Sequence, residues 1–278
     1  MPLLRIQAGI LAILAVSRNP QSFVAGATPL NRGGPRTSED IDIFHDRADG
    51  LLQVADADAV MLESRGYKVE WQRHREEICT ATISDDEQAT RLDWVVDSDF
   101  RFFPPAPSEV FGYVLHPMDI ATNKALAAAG RREPRDAVDL ITIHERFYPL
   151  GAVIWAAVAK DRGWSPESLI AEIRRSARYQ DDDLAGLDME PSMTAGALSN
   201  KLRAALNDAE AFVSRMPSEK AGLIFFDDNN RIVQPDPDRL ERYGVHAGSR
   251  GGHWPSSADI TSAMLDAWAE PYPPAVKS

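Results

Sequence analysis

The sequence predicts an α+β fold, with strands and helices mixed in the first half and helices predominating in the second. Short apolar or alternating runs, typical of strands, recur between Ser22 and Val96. Later in the chain, apolar residues recur at helical spacing. Three such segments are 151–162, 165–178 and 196–214. We therefore predict a sheet-containing region at residues 1–148 and a mainly helical region at residues 149–278.

Periodicity and turn residues place the elements of the first region. The apolar stretch from Gly9 to Val16 is interpreted as part of a buried first helix, because it is shorter than the ~20 residues of a membrane span. Pro117 and Pro134 each suit the first turn of a further helix. The remaining predictions are strands at 22–25, 41–44, 67–72, 78–83, 92–96 and 110–115, and a helix at 51–65.

One β-hairpin interrupts the helices of the second region. Two apolar runs between residues 223 and 233 flank Asp227 to Asn230, which have the composition of a turn. After Pro235 the chain is rich in Pro, Gly and Ser, and we expect loose packing with one short helix at 259–269.

Composition narrows the classes of function. The 30 Lys and Arg against 42 Asp and Glu give a net charge of −12, which argues against a surface built throughout for nucleic acid. RNA would need a local basic cluster such as Arg174, Arg175 and Arg178. The single cysteine, Cys79, cannot form an internal disulfide, so we expect a cytoplasmic protein, without a membrane span.

Asp40 and Asp42 form the first candidate site. Side chains two apart on a strand point to the same face, so both carboxylates project together. Two like charges held so close favour a cation between them. Carboxylate oxygens suit Mg²⁺, which commonly binds to a few carboxylates and to substrate phosphates. The alternative is a solvated acidic strand. His45 follows this strand and is expected at the surface.

Two further features accompany this Asp-x-Asp pair. Upstream, Gly26-Ala27-Thr28 ends an apolar run, and small residues in such a turn let backbone N–H groups approach a phosphate. Downstream, Asp93 lies on a later strand between apolar neighbours, although Asp97 is an alternative third carboxylate. A small-residue turn, Asp-x-Asp and then a single Asp is the order of the nucleotidyltransferase superfamily.

The amino-acid sequence of these segments resembles the motifs of the AbiEii/AbiGii toxin family of nucleotidyltransferases. That family has a Gly-Gly-Thr turn followed by Arg-x-Ser-x-Asp-Ile-Asp-Leu, and later a Lys-containing helix and Arg-Asp-x-x-Asp-Leu. The matching positions here are Gly26-Ala27-Thr28, Arg36, Ser38, Asp40-Ile41-Asp42, Lys124, Arg135-Asp136 and Asp139-Leu140. The resemblance covers about residues 5–145. It implies a mixed β-sheet flanked by helices, with the catalytic domain in residues 1–148.

The resemblance also implies roles for single residues. Asp40 and Asp42 would be Mg²⁺ ligands, and Asp93 the third ligand or the base for the acceptor hydroxyl. The turn at Gly26, Ala27 and Thr28, together with Arg36 and Ser38, would contact phosphate, and Lys124 would reach the triphosphate of an NTP. Asp136 and Asp139 would orient Lys124 or line the base pocket. Their alternative is an ion pair with Arg131, Arg132 or Arg135.

Relatives of this type are toxins of toxin–antitoxin or phage-defence systems. The resemblance therefore implies transfer of an NMP group to tRNA or another RNA, and an antitoxin protein as a possible partner. One alternative is a small-molecule nucleotidyltransferase of the antibiotic-modifying sort, which the acidic surface suits. Another is a non-catalytic descendant that binds a nucleotide or a partner, because Ala27 replaces a glycine and Pro29 removes a backbone donor.

Overall fold

The architecture comes from a computed structural model, which describes residues 3–254. The first elements are α1 (Arg5–Leu14), β1 (Ser22–Ala25), α2 (Ala27–Asn31), β2 (Asp40–His45), α3 (Leu51–Glu63), β3 (Lys68–Arg75), β4 (Ile78–Ser84), β5 (Ala89–Val96), β6 (Phe100–Arg101), β7 (Ala106–Ser108) and β8 (Gly112–Val114). The later ones are α4 (Pro117–Gly130), α5 (Pro134–Arg146), α6 (Leu150–Ala157), α7 (Pro166–Ser176), α8 (Asp181–Leu184), α9 (Ala195–Val213), β9 (Leu223–Phe226), β10 (Ile232–Val233), β11 (Gly244–Ala247) and β12 (Ser249–Arg250).

The chain forms two compact units. Among the described residues, the first comprises 3–99 and 104–115, and the second 100–103 and 116–254. The first unit contains a seven-stranded mixed sheet in the order β3-β4-β5-β2-β1-β8-β7. Strands β2 and β5 are parallel, as are β1 and β8, and the other neighbours are antiparallel. The predicted α+β class, with a mixed sheet flanked by helices, is confirmed.

One face of this sheet is the core of the first unit. Alternate residues of the central strands, among them Ile41, Ile43, Leu92 and Trp94, are fully buried, and α1 and α3 pack against β5. The indole of Trp94 donates a 2.8 Å hydrogen bond to the Asp58 carboxylate of α3. Since side chains alternate along a strand, the residues between these apolar ones project to the opposite face.

The second unit is mainly helical. Helix α4 packs against α5, α6 and α7, and α9 packs against α5, α6 and α7. The predicted hairpin is present as β9 and β10, but β11 adds a third strand to it. The segment after Pro235 is therefore more ordered than expected, because the edge of β9 pairs with residues 244–247. The predicted helix at 259–269 lies outside the described residues.

The main boundary between the two units lies between residues 115 and 116, whereas the sequence analysis predicted a division at residue 148. Helices α4 and α5 belong to the second unit because their apolar sides pack on α6, α7 and α9. The assignment of the catalytic domain to residues 1–148 stays a prediction. Among residues 3–254, no helix combines the length and the apolar character that crossing a membrane requires.

Candidate active site

Gly26 follows β1 and brings the backbone directly against Asp42. Its φ of +66° lies in the left-handed region that favours glycine. A Cβ added there would lie 1.8 Å from the Asp42 Oδ2 atom. Ala25 is the register partner of Asp42 on the neighbouring strand, which explains the close approach. A side chain at position 26 therefore requires Asp42 to move.

Asp40, Asp42 and Asp93 converge on the face of the sheet opposite the core. Strand β2 pairs in parallel with β5, and the register sets Asp42 beside Asp93. Asp40 lies two residues before Asp42 and therefore on the same face. Each of the three offers one carboxylate oxygen, and these oxygens all lie within 4.8 Å of one another. Asp97, the alternative third carboxylate, follows the end of β5 and is not in this group.

A guanidinium group bridges two of these carboxylates. Arg91 Nη2 lies 2.6 Å from Asp40 Oδ2, and Arg91 Nε lies 2.9 Å from Asp93 Oδ2. Partial burial lowers the pKa of Arg91, but the negative charges of the three carboxylates outweigh it and raise that pKa overall. The sequence analysis missed Arg91, although the alternation of side chains along β5 places it on the same face as Asp93.

The hydroxyl groups of Thr28 and Ser38 hold strand β2 in place. Thr28 Oγ1 donates a 2.6 Å hydrogen bond to the Asp40 carbonyl, and Ser38 Oγ lies 3.0 Å from the same oxygen. Ser38 Oγ also lies 3.3 Å from Asp40 Oδ1. Arg36 is buried, and its Nη1 donates to the carbonyl of Thr37. These residues position Asp40, and their contact with phosphate stays a prediction.

Ala27 and Pro29 lie in the first turn of the short helix α2. The backbone N–H groups of a first turn have no acceptor within the helix, so Pro29 costs α2 no hydrogen bond. Asn31 Nδ2 donates a 3.1 Å hydrogen bond to the Ala27 carbonyl. The departures from the family's turn are thus accommodated as a buried helical turn next to Gly26.

His45 is buried, so the expectation of a surface histidine was wrong. It ends β2, which is covered on both edges by β1 and β5. Its Nε2 lies 3.5 Å from Ser22 Oγ. Burial and the positive charge of Arg18 lower the pKa of His45 to about 4, so the ring is neutral at pH 7.

Lys124, Asp136 and Asp139 form a separate cluster within the second unit. Lys124 Nζ lies 2.7 Å from Asp139 Oδ2 and 3.7 Å from Asp136 Oδ1. Arg131 also donates two hydrogen bonds to Asp136, at 2.7 and 2.9 Å. Both carboxylates are fully buried. The ion pair with Arg131 that the sequence left open is present, together with the pairing to Lys124. Binding of the triphosphate by Lys124 stays a prediction.

The group formed by Asp40, Asp42 and Asp93 fits a magnesium ion. Its potential ligands are carboxylate oxygens, which Mg²⁺ prefers, and three oxygens from substrate phosphate or water would complete an octahedral shell. All three side chains are at least partly shielded from water, which strengthens their attraction for a cation. The guanidinium of Arg91 already lies against two of them, in the place where a cation is stabilised.

Comparison with known proteins shows the fold. No family model matches the chain, and no curated protein matches it. A solved structure does: MenT4, a nucleotidyltransferase toxin from Mycobacterium tuberculosis H37Rv, aligns with a TM-score of 0.55 at 17% identity, covering 77% of this chain and 84% of that one. The chain has a nucleotidyltransferase-like fold. The narrower resemblance to the AbiEii/AbiGii family stays a prediction.

Proposed function

We propose that this protein is a nucleotidyltransferase that moves an NMP group from an NTP to an acceptor hydroxyl, with Mg²⁺ held by Asp40, Asp42 and Asp93. One observation carries the proposal: the three carboxylates approach within 4.8 Å in a chain whose fold resembles that of a nucleotidyltransferase toxin. Mg²⁺, when bound there, supplies positive charge for the α-phosphate and the leaving pyrophosphate, and it lowers the pKa of the acceptor hydroxyl.

In the proposed reaction, the acceptor oxygen attacks the α-phosphorus of the NTP. A bond forms between them, the bond from the α-phosphorus to the bridging oxygen breaks, and pyrophosphate leaves with that electron pair. The hydroxyl proton passes to a carboxylate, which we assign to Asp93. Asp40 and Asp42 would hold the cation that organises the phosphates. Gly26 keeps the backbone close to Asp42.

The first experiment tests the carboxylates. Each labelled NTP is incubated with total RNA, with and without Mg²⁺, for the protein and for Asp42→Asn. We expect labelling to fall about a hundredfold to a thousandfold in Asp42→Asn, since the loss of one charge-stabilising group at such a centre costs about 10²–10³ in rate. Asp49→Asn is the matched control, because Asp49 is exposed and pairs only locally with Arg47. Unchanged labelling by Asp42→Asn refutes the metal assignment.

RNA is the acceptor that the charges near the site favour. Thr80 is the register partner of Asp93 on β4, and Arg73 is the partner of Thr80 on the edge strand β3. Strands lie ~4.8 Å apart, so the Arg73 backbone lies roughly 10 Å from that of Asp93, on the same face. Arg73 and Arg75 are exposed and have no ion-pair partner among residues 3–254. They can meet the phosphates of a strand whose end enters the site.

The basic cluster of Arg174, Arg175 and Arg178, which the sequence suggested as an RNA contact, is a weaker candidate than Arg73 and Arg75. Arg174 pairs with Glu210 at 2.7 Å, and Arg175 forms an ion pair with Glu172. Two of its three charges are therefore balanced by neighbours. Two pairs of arginines can therefore be compared. Arg73 and Arg75 have no ion-pair partner in the described part of the chain, whereas the charges of Arg174 and Arg175 are already balanced.

The second experiment measures RNA binding against salt concentration. Each neutralised phosphate of a single strand contributes a slope of about −0.7 in log K against log salt. Replacing Arg73 and Arg75 by Ala should make the slope shallower by about 1.4. The control that replaces Arg174 and Arg175 should change it little. The reverse pattern contradicts the acceptor surface, and labelling of a small molecule in place of RNA assigns the alternative substrate class.

We also propose that transfer is toxic to the host cell and that an antitoxin protein controls it, as the description of MenT4 as a toxin suggests. Induced expression in a bacterial host should arrest growth, whereas expression of Asp42→Asn at the same level should not. Growth arrest by both proteins would show that toxicity does not depend on the carboxylates.

A further inference from the structure

Arg91 contacts two of the three carboxylates of the candidate metal site. It is the register partner of Asp40 across the parallel pair β2 and β5, and it precedes Asp93 by two residues on the same strand. Its two donors contact one oxygen of each, Asp40 Oδ2 at 2.6 Å and Asp93 Oδ2 at 2.9 Å. Mg²⁺ bound between the carboxylates needs oxygens at 2.0–2.1 Å in near-octahedral order.

A guanidinium and a divalent ion compete for the same carboxylates. Three carboxylates carry a charge of −3, and one guanidinium balances only a third of it. The guanidinium keeps the carboxylates close together, because without it their negative charges would repel one another. Because a guanidinium stays protonated at any accessible pH, it can leave the carboxylates only by moving.

The environment of Arg91 allows that movement. Its side chain is 48% exposed, whereas those of Asp40 and Asp93 are 11% and 12% exposed. The two buried carboxylates therefore have little room to move, whereas the guanidinium of Arg91 can rotate into the solvent. Its register partner on β4 is Thr82, whose side chain is small and uncharged and so does not add a second ion pair to the guanidinium.

We propose that Arg91 is an exchangeable counter-cation, which holds the carboxylates together before the metal binds and is displaced from Asp40 and Asp93 when it binds. This inference rests on the proposed function, since it assumes that the three carboxylates hold a divalent ion. Arg91 is thus a positioning residue, and it lowers the affinity of the protein for a divalent ion.

The test measures Mn²⁺ binding to the full-length protein by calorimetry and by electron paramagnetic resonance, without nucleotide. Arg91→Met should bind Mn²⁺ more tightly, in the range of about 5–150-fold that coupling between two ligands typically gives. Without metal its melting temperature should be lower than that of the unchanged protein, and the rise on adding Mn²⁺ should be larger. Arg91→Lys, which keeps the charge but cannot form the same two-donor bridge, should lie between the two.

Arg73→Met is the control, since it removes the same charge from the same face without contact to the carboxylates. It should change the Mn²⁺ affinity less than about threefold. Equal affinity in Arg91→Met and the unchanged protein overturns the inference and leaves the proposed function standing. Weaker binding in Arg91→Met also overturns it, because the guanidinium would then assist the metal. An absence of Mn²⁺ binding in every variant overturns both proposals.

Discussion

Replacing Gly26 by alanine tests whether the close approach of its backbone to Asp42 matters for NMP transfer. The substitution should lower the stability of the protein and disturb the geometry of the site, and the two effects can be measured separately. The added Cβ would lie 1.8 Å from Asp42 Oδ2, and real Cβ contacts are essentially never shorter than 3.0 Å. The carboxylate or the turn must therefore shift by at least about 1.2 Å. With φ +66° and ψ −146°, Gly26 has a backbone conformation that essentially only glycine adopts, which adds about 1–3 kcal/mol of strain for a residue with a side chain.

The shift should reduce transfer far more than stability. A misplacement of about 1 Å at a reacting centre costs on the order of a hundredfold in rate. The strain alone should lower the melting temperature by only a few degrees in a chain of this size. The assay is NMP transfer from labelled NTP, measured beside thermal melting monitored by circular dichroism.

Gly66→Ala is the matched control for this substitution. Gly66 has a φ of +88°, and an added Cβ there meets nothing within 4 Å. Gly66→Ala also introduces a side chain at a positive φ, but without a collision, so the variant should lose stability while its transfer rate stays near that of the wild-type protein. If both alanine variants transfer at rates within threefold of each other, the contact between Gly26 and Asp42 has no catalytic importance.

Three further substitutions test the buried charges. Lys124→Met leaves Asp139 buried without its 2.7 Å partner, and urea unfolding should show a loss of about 3–5 kcal/mol; a loss below about 1 kcal/mol contradicts this. Asp58→Ala leaves Arg18 buried without its 2.6 Å partner, with a similar loss expected but normal transfer while folded. In the folded protein the pKa of His45 is about 4, which is below its unfolded value. The contribution of the neutral ring to the free energy of unfolding is therefore complete above pH ~6.5 and is lost as the pH falls toward 4. His45→Gln should therefore remove about 3 kcal/mol of pH dependence, and an unchanged pH profile of unfolding counts against it.

Most helices and strands were predicted because their signals are local. Pro117 and Pro134 mark the first residues of α4 and α5, and the alternation at Asp40 to Phe44 predicted β2. Pairing of distant segments was not predictable in this way. The strand at 244–247 was missed because it joins β9 at an edge, and its own residues are mostly exposed.

By itself, the sequence determined that Asp40 and Asp42 share a face, because alternation along a strand is a property of the backbone. It also placed Gly26 in a turn and favoured Asp93 over Asp97 as the third carboxylate, because apolar residues flank Asp93. The tertiary structure decided that β2 and β5 are parallel with Asp42 beside Asp93, which brings the three carboxylates within 4.8 Å. The same register sets Arg91 against Asp40, and the central place of β2 buries His45. These contacts join residues about fifty positions apart, and the register between strands depends on how whole faces pack, which no local pattern specifies.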